Sequence, residues 1–423
     1  RIIQRYALAT LYHSTKGYTW KRCGGGLSSP SIATTHSSRT TNSTYNIVSD
    51  TDYTCVYEDF IENSDISTHV WLSGMSECSW YGVSCQQMDY TDTTNDDFVV
   101  SIDLDSNNLR GYVPSQLSGL SNLENINLSH NSLIGSLPPK LGYSWTKLQT
   151  LNLERNRLWG EIPKDFGHLG SLRALKLSHN KLTGTIPPQL FYSSSPLTYL
   201  GLVDNHLNGT LPQSMYTLPR INEIHIDRNS LSGTLGSILP SSSLESSTTV
   251  SFPKTLTELT LSTNKFTGTI PDDWFVDRDA TLYSLNLEIN QLSGTLPETL
   301  FENGGQQQLE YLNLGSNKLS GTISSRFGEL KGLTHVILWM NYLEGTIPSE
   351  MGTLSNLELL HVTYNYISGV IPQELCDLRD GVGVSSGSGG FNILSADCAG
   401  NTKNPLPKVD CSCCSICLAG YDN

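Results

Sequence analysis

One pattern, restated eleven times, constrains this chain more than any other property. It reads IDLDSNNLRGYVP from Ile102 to Pro114, LNLERNRLWGEIP over 151–163, LKLSHNKLTGTIP over 175–187 and LNLEINQLSGTLP over 285–297. Its anchoring asparagines are Asn107, Asn131, Asn156, Asn180, Asn205, Asn229, Asn264, Asn290, Asn317, Asn341 and Asn365, mostly 24 or 25 residues apart. One copy cannot bury its own apolar side. It needs a neighbour above and below, so the core must be a continuous stack that grows by addition. The paired leucines alternate as a short strand requires: Leu151 and Leu153 point inward, Asn152 and Glu154 outward. The anchoring Asn turns the chain off the strand, and its amide satisfies backbone groups inside the bend, which predicts an internal asparagine ladder. The glycine that follows, such as Gly160, takes a backbone path closed to bulkier residues. Pro163 and its equivalents pre-set the next bend; Gly236 and Ser324 stand in for it in two copies. These residues build the spine and are not read as ligands or catalysts.

A period of this length with L-x-L-x-x-N-x-L is the signature of a leucine-rich-repeat solenoid. The expected fold is an α/β repeat of about eleven 24-residue units, with a parallel concave sheet and disulfide-bonded caps. The expected layout is an N-terminal cap with a Ser/Thr-rich insertion (1–98), the solenoid (99–375) and a Cys-rich C-terminal cap (376–423). Leu8, Leu11 and Tyr12 lie at helical spacing and predict one amphipathic helix in the first cap. Ser-, Thr- or Gly-rich insertions occupy 27–54, 236–252 and 381–390. The chain opens at Arg1 without a signal peptide, and reads as a mature or trimmed product.

Net charge is −14, with no long basic run, which excludes the cationic footprint that nucleic-acid binding needs. No stretch approaches the ~18 apolar residues of a membrane span. The ten cysteines avoid the repeats: Cys23, Cys55, Cys78 and Cys85 precede them, and Cys376, Cys398, Cys411, Cys413, Cys414 and Cys417 follow. Staples at the ends of a stack fit an oxidising compartment. Cys78 is expected to pair with Cys85 and Cys23 with Cys55, while the C-terminal six leave their connectivity open. Three N-x-[ST] sequons, at Asn42, Asn127 and Asn208, either carry N-linked glycans or arise by chance. Asn127 falls on a strand position of the concave face.

The cap ECSWYGVSC followed by GxIP-type repeats resembles the plant-type class of extracellular leucine-rich-repeat proteins over about 70–385. More narrowly, ALATLYHSTKGYTW together with ADC…VDCSCCSIC is similar to secreted or surface leucine-rich-repeat proteins of diatoms and related algae. The resemblance implies a curved solenoid, an extracellular location and roles in recognition, adhesion or inhibition of secreted enzymes. The kinase domain of receptors in this class has no counterpart in this sequence.

Catalytic chemistry finds no constellation, and the protein is not expected to be an enzyme. GVSSG (383–387) matches a nucleophile-elbow pattern but lies in a Ser/Gly-rich stretch, so Ser385 is not read as a nucleophile. CSCCSIC (411–417) contains C-x-x-C, read as disulfide-forming rather than zinc-binding. The acidic run 89–97 lacks the spacing of a calcium loop. His130 and His179 share a column but sit in alternate repeats, roughly 10 Å apart, with Arg155 between them. No metal or cofactor is expected.

Outward positions are free of packing duty, so their chemistry speaks to partners. The column two residues past the second inward leucine runs from Ser106, His130, Arg155, His179, Asp204 and Arg228 through Thr263, Ile289, Ser316, Met340 and Tyr364. It turns from polar to apolar. Around its apolar end lie His335, Ile337, Trp339, Tyr342, His361 and Tyr366. These, with Met340 and Tyr364, form the expected partner-binding patch, unless the C-terminal cap covers them as core. Arg155, Lys176 and His179 form a secondary polar patch suited to an acidic partner. Thr185, Thr210, Thr234, Thr269, Thr295, Thr322 and Thr346 each follow the repeat glycine, as water-ordering groups, sugar acceptors or simply residues suited to a short strand. Three functions follow in order: an extracellular recognition or adhesion module binding a protein or glycan, a self-assembling subunit of a fibre or matrix, and an ice-associated protein using the threonine array.

Overall fold

The computed structural model describes residues 2–21, 76–86, 97–236, 253–275, 281–301, 308–379, 393–399 and 409–419. Cys23, Cys55, Asn42, Ser385 and most of the acidic run and of the three insertions lie outside them. The chain divides into two compact units, Arg1–Lys181 and Leu182–Asn423. Both are leucine-rich-repeat solenoids built from the same coil.

In the first unit the helix Ile2–Ser14 buries Ala7, Leu8, Leu11 and Tyr12, and Trp20 is fully buried just beyond it. Strand Val83–Gln86 pairs antiparallel with Phe98–Asp103. Parallel strands Asn125–Asn127, Thr150–Asn152 and Ala174–Lys176 then follow, one rung per repeat. The second unit continues the same grammar: Tyr199–Gly201, Glu223–His225, Glu258–Thr260, Ser284–Asn286, Tyr311–Asn313, His335–Ile337 and Leu359–His361 pair in parallel. The cap strands Ile393–Ala399 and Ile416–Ala419 extend that sheet. Within each coil the leucines face in and are shielded from water, as with Leu312, Leu314 and Leu319. Short 3-10 turns such as Ser325–Glu329 close the opposite side, burying Phe327.

The asparagine ladder is present. Asn317 donates from Nδ2 to the carbonyls of Leu287, one coil earlier, at 3.0 Å and of Leu314 in its own coil at 3.1 Å. Its Oδ1 accepts from the Leu292 backbone N–H at 3.0 Å. Asn156, Asn264 and Asn341 repeat the arrangement. Each side chain thus pairs buried backbone groups of two coils that would otherwise cost about 1–3 kcal/mol apiece.

The column read as outward strand positions is not on the strands. Strand Thr150–Asn152 ends three residues before Arg155. All eleven members, from Ser106 to Tyr364, occupy the left-handed region, with φ between 52° and 57°. For L-residues this costs about 1 kcal/mol or more, and most for β-branched Thr263 and Ile289. What holds them there is the next coil: Arg155 N–H donates to Ser178 O, Ile289 to Gly315 O and Met340 to Thr363 O, at 2.8–2.9 Å. The column is therefore a row of turns, not part of a sheet.

In the second unit a further parallel sheet of seven strands runs from Asn208–Gly209 through Ser230–Thr234, Lys265–Gly268, Gln291–Gly294, Lys318–Thr322 and Tyr342–Gly345 to Tyr366–Ile367. The seven threonines stand exposed on or beside it, one per coil. Each threonine methyl sits over the glycine of the following coil: a Cβ at Gly209 would come within 2.8 Å of Thr185 Cγ2, and one at Gly294 within 2.8 Å of Thr269 Cγ2. Those glycines also have φ near 80°, so they are required twice over.

The N-terminal end of the first unit and the C-terminal end of the second are closed differently. At the N-terminal end, Gln4 reaches across to the edge: its Oε1 accepts from Val99 N–H at 2.7 Å and its Nε2 donates to Asp97 O at 3.3 Å. Thr15 O accepts from Arg110 N–H, and Lys21 N–H donates to Asn107 O. At the C-terminal end the N–H groups of Tyr364 and Asn365 have no further repeat to receive them. The buried carboxylate of Asp397 takes both, through Oδ1 at 2.9 Å and Oδ2 at 3.1 Å. Disulfides join Cys78 to Cys85, Cys376 to Cys413, Cys398 to Cys417 and Cys411 to Cys414.

Candidate ligand-binding site

The eight residues expected to form one patch separate into two neighbouring groups. His335, Ile337, Trp339 and His361 lie half-buried on the main sheet face. Met340, Tyr342, Tyr364 and Tyr366 line the turn edge, where the chain passes from the main sheet to the second one. The described part of the C-terminal cap does not bury any of them.

On the sheet face Trp339 is locked rather than free. Its indole stacks on His361 with ring centres 5.9 Å apart and an interplanar angle of 11°. Its Nε1–H donates to Glu288 Oε1 at 2.9 Å, two coils away. The indole crosses the intervening coil over Gly315, where a Cβ would lie 2.3 Å from Nε1. Glycine at that outward position is what allows an aromatic ring to lie flat on the sheet, and Gly315 is the sequence signal that could have disclosed it. His361 shares this packing. Its Nε2 lies 2.7 Å from Thr363 Oγ1, and burial holds its pKa below the usual histidine range despite the opposing pull of Glu288 and Asp397.

The turn edge forms a cavity of about 390 Å³ lined by Ser316, Lys318, Met340, Tyr342, Tyr364 and Tyr366, with the ladder asparagines behind them. Tyr342 and Tyr366 stack with ring centres 6.1 Å apart at 17° and remain 50 % and 44 % exposed. Ser316 Oγ lies 3.4 Å from Met340 Sδ. The cavity lining thus offers aromatic rings, a thioether and one lysine, a mixture suited to holding an apolar side chain beside a polar group. Met340 and Tyr364, which line it, both stand in left-handed turns.

The secondary polar patch is divided in the same way. Lys176 lies half-buried on its strand, while Arg155 and His179 belong to the turn row. His130, in that row, lies 3.0 Å from Asp105 Oδ1. Of the sequons, Asn127 is engaged on the sheet face: its Nδ2 donates to Asp103 Oδ1 at 3.0 Å and its Oδ1 accepts from Ser129 Oγ at 2.6 Å. Asn208 is exposed and sits two residues before Thr210 in the threonine row. Among the described residues no helix is long and apolar enough to cross a membrane.

Comparison with known proteins agrees with this architecture. Leucine-rich-repeat family models match residues 131–182, 255–275, 308–330 and 356–378. A 65-residue stretch, 15 % of the chain, is 40 % identical to a probable leucine-rich repeat receptor-like protein kinase of Arabidopsis thaliana and covers 6 % of that protein. Among solved structures, the Arabidopsis receptor kinase HAESA, in complex with the peptide hormone IDA and the co-receptor SERK1, aligns with a TM-score of 0.58 and 29 % identity. That match covers 70 % of this chain and 48 % of HAESA. A TDR receptor structure gives 0.57 and 27 %, covering 74 % of this chain and 55 % of its own. The chain therefore spans about half the length of these receptor structures. A plant ice-binding protein aligns with a TM-score of 0.56 over 82 % of this chain and 89 % of its own, at 24 % identity, a likeness of fold alone. The chain folds as a leucine-rich-repeat solenoid and resembles the ectodomains of plant receptors.

Proposed function

We propose that this protein is a non-enzymatic extracellular recognition module, and that a peptide or an extended protein segment docks along the last coils with an apolar side chain in the turn-edge cavity. The observation that carries the reading is the exposed Tyr342–Tyr366 stack lining a cavity together with Met340. Exposed paired aromatics beside a formed pocket are the anchors that dominate interface energetics. The stapled caps support an oxidising, extracellular setting. The resemblance of both caps to secreted algal proteins belongs to the same proposal, as does the division into cap, solenoid and cap at 98 and 375. Trp339 enters as a rigid platform, since its indole is already hydrogen-bonded to Glu288. The test is to pan a random peptide library displayed on phage against the folded chain. Selected peptides should lose at least ~10-fold in affinity for a Tyr342→Ser/Tyr366→Ser variant that melts as the parent does. Peptides that bind both proteins equally would remove the site.

The threonine row favours a second reading, an ice-associated surface. Seven exposed hydroxyl-methyl groups repeat at one strand spacing, about 4.8 Å, with each methyl seated on the next coil's glycine. Such fixed groups order a first water layer. Dilute protein should then reshape growing ice crystals, and Thr269→Tyr should abolish the effect while leaving peptide binding intact. Unmodified crystal growth in the presence of the parent protein would remove this reading.

A further inference from the structure

The main sheet of the second unit carries another cluster, well before the aromatic coils in sequence. Glu223 and Glu258 are directly opposed on adjacent parallel strands. His225 lies on the same strand as Glu223, two residues on, and therefore on the same face. One ligand atom from each of Glu223, His225 and Glu258 falls within 4.8 Å of the others. Two carboxylates directly opposite one another are unfavourable unless something positive lies between them.

The surroundings of His225 fix what it presents to those carboxylates. Asp227 accepts from Ser262 N–H at 2.8 Å, from Ser262 Oγ at 2.6 Å and from the Thr260 hydroxyl. Thr260 has one proton, and it is spent on Asp227. Thr260 Oγ1 therefore faces His225 Nδ1, 3.2 Å away, as an acceptor. Nδ1 carries the hydrogen, and in the neutral ring the lone pair is on Nε2, which lies 3.2 Å from Glu223 Oε2. Acceptor then faces acceptor. A hydrogen bond from Nδ1–H outward to a hydroxyl–carboxylate relay is the arrangement that orients histidine ligands of metals. Tyr199 packs against the imidazole, ring centres 5.4 Å apart, and further fixes its plane.

We propose that Glu223, His225 Nε2 and Glu258 bind a divalent transition-metal cation of the zinc class, with Thr260 and Asp227 as the orienting relay. One nitrogen and two carboxylates suit such an ion, and three protein ligands leave a coordination position for water or for a carboxylate or imidazole of a bound partner. Among the described residues the other close set of ligand atoms, Cys398, Cys414 and Cys417, offers no thiolate, because all three are in disulfides. The set was invisible in sequence, since the insertion between Asn229 and Asn264 places Glu258 35 residues after Glu223.

The experiment is calorimetric titration of the chelator-stripped, non-reduced full chain with zinc chloride, with magnesium chloride as the hard-cation control. The parent should take up zinc saturably and magnesium not at all. His225→Ala and Glu258→Gln should each weaken zinc binding at least ~10-fold, and Thr260→Val, which removes no ligand, by roughly 10-fold. All three variants are compared with the parent for melting temperature without metal. Absence of saturable binding, with the imidazole simply paired to Glu223, would overturn the proposal. So would zinc uptake that survives a folded His225→Ala/Glu258→Gln double variant.

Discussion

The N-terminal end of the first unit and the C-terminal end of the second solve different problems. In a parallel stack of coils the turn N–H groups of each coil donate to the carbonyls of the next. The last coil is therefore left with the turn donors of Tyr364 and Asn365, whereas the first coil offers an acceptor, Asn107 O, and two donors, Val99 N–H and Arg110 N–H, beside an apolar flank. The N-terminal end answers with hydrophobic mass, the helix Ile2–Ser14 and Trp20, plus the amide of Gln4, which can both give and accept. The C-terminal end answers with Asp397, a group that when ionised only accepts, held by a cap cross-linked through Cys376–Cys413 and Cys398–Cys417. The direction of the turn hydrogen bonds selects a carboxylate at the C-terminal end, while the mixed donors and acceptors of the first coil are met by groups that do both.

That contrast can be broken most severely at the apolar end. Trp20→Ala should destabilise the first unit by about 3–5 kcal/mol, because a fully buried indole is replaced by a cavity. Denaturant melts followed by hydrogen exchange should localise the loss to the first coils; a loss spread evenly over both units would contradict the independence of the ends. At the other end Asp397→Asn should cost roughly 2–3 kcal/mol, since an amide turns a donor toward one of two buried N–H groups. Faster exchange confined to the Tyr364 and Asn365 amides is the expected signature. Gln4→Leu keeps the bulk and removes both hydrogen bonds, so about 1–2 kcal/mol should be lost. A neutral outcome there would mean that packing alone closes this end.

The smallest effect concerns pH. His361 has a folded pKa below its ordinary value of 6.5 because burial disfavours the charged ring. Its contribution is therefore fully present above about pH 6.5 and is lost as pH falls through the lower folded value. His361→Gln should flatten the decline in melting temperature on acidification, measured against the parent. An unchanged slope would assign the acid sensitivity elsewhere.

Much of this molecule was legible in its sequence, for a definite reason. Leu151, Leu153 and Asn156 each answer to a constraint repeated in every coil, so spacing alone exposed the inward leucines and the ladder. The N-terminal helix followed from Leu8, Leu11 and Tyr12 by the same periodic logic. The candidate site was only half legible. Met340 and Tyr364 are unremarkable letters at an apparent strand position, and only the backbone shows that they stand in left-handed turns. Trp339 was expected to await a partner, yet it already rests on Gly315 and Glu288, a contact that spans two coils. Asp397 was visible only as part of the ADC cap signature. Its task depends on where the stack ends, which no local pattern records.

The seating of each threonine methyl on the following glycine has a consequence for how such a chain can change. From Thr185 to Gly369 every coil presents the same knob at its leading edge and the same socket at its trailing edge. Coils in this stretch are interchangeable tiles. Unequal recombination could add or delete one without creating a misfit at the join, so the length of the array is freer to drift than the identity of any tile within it.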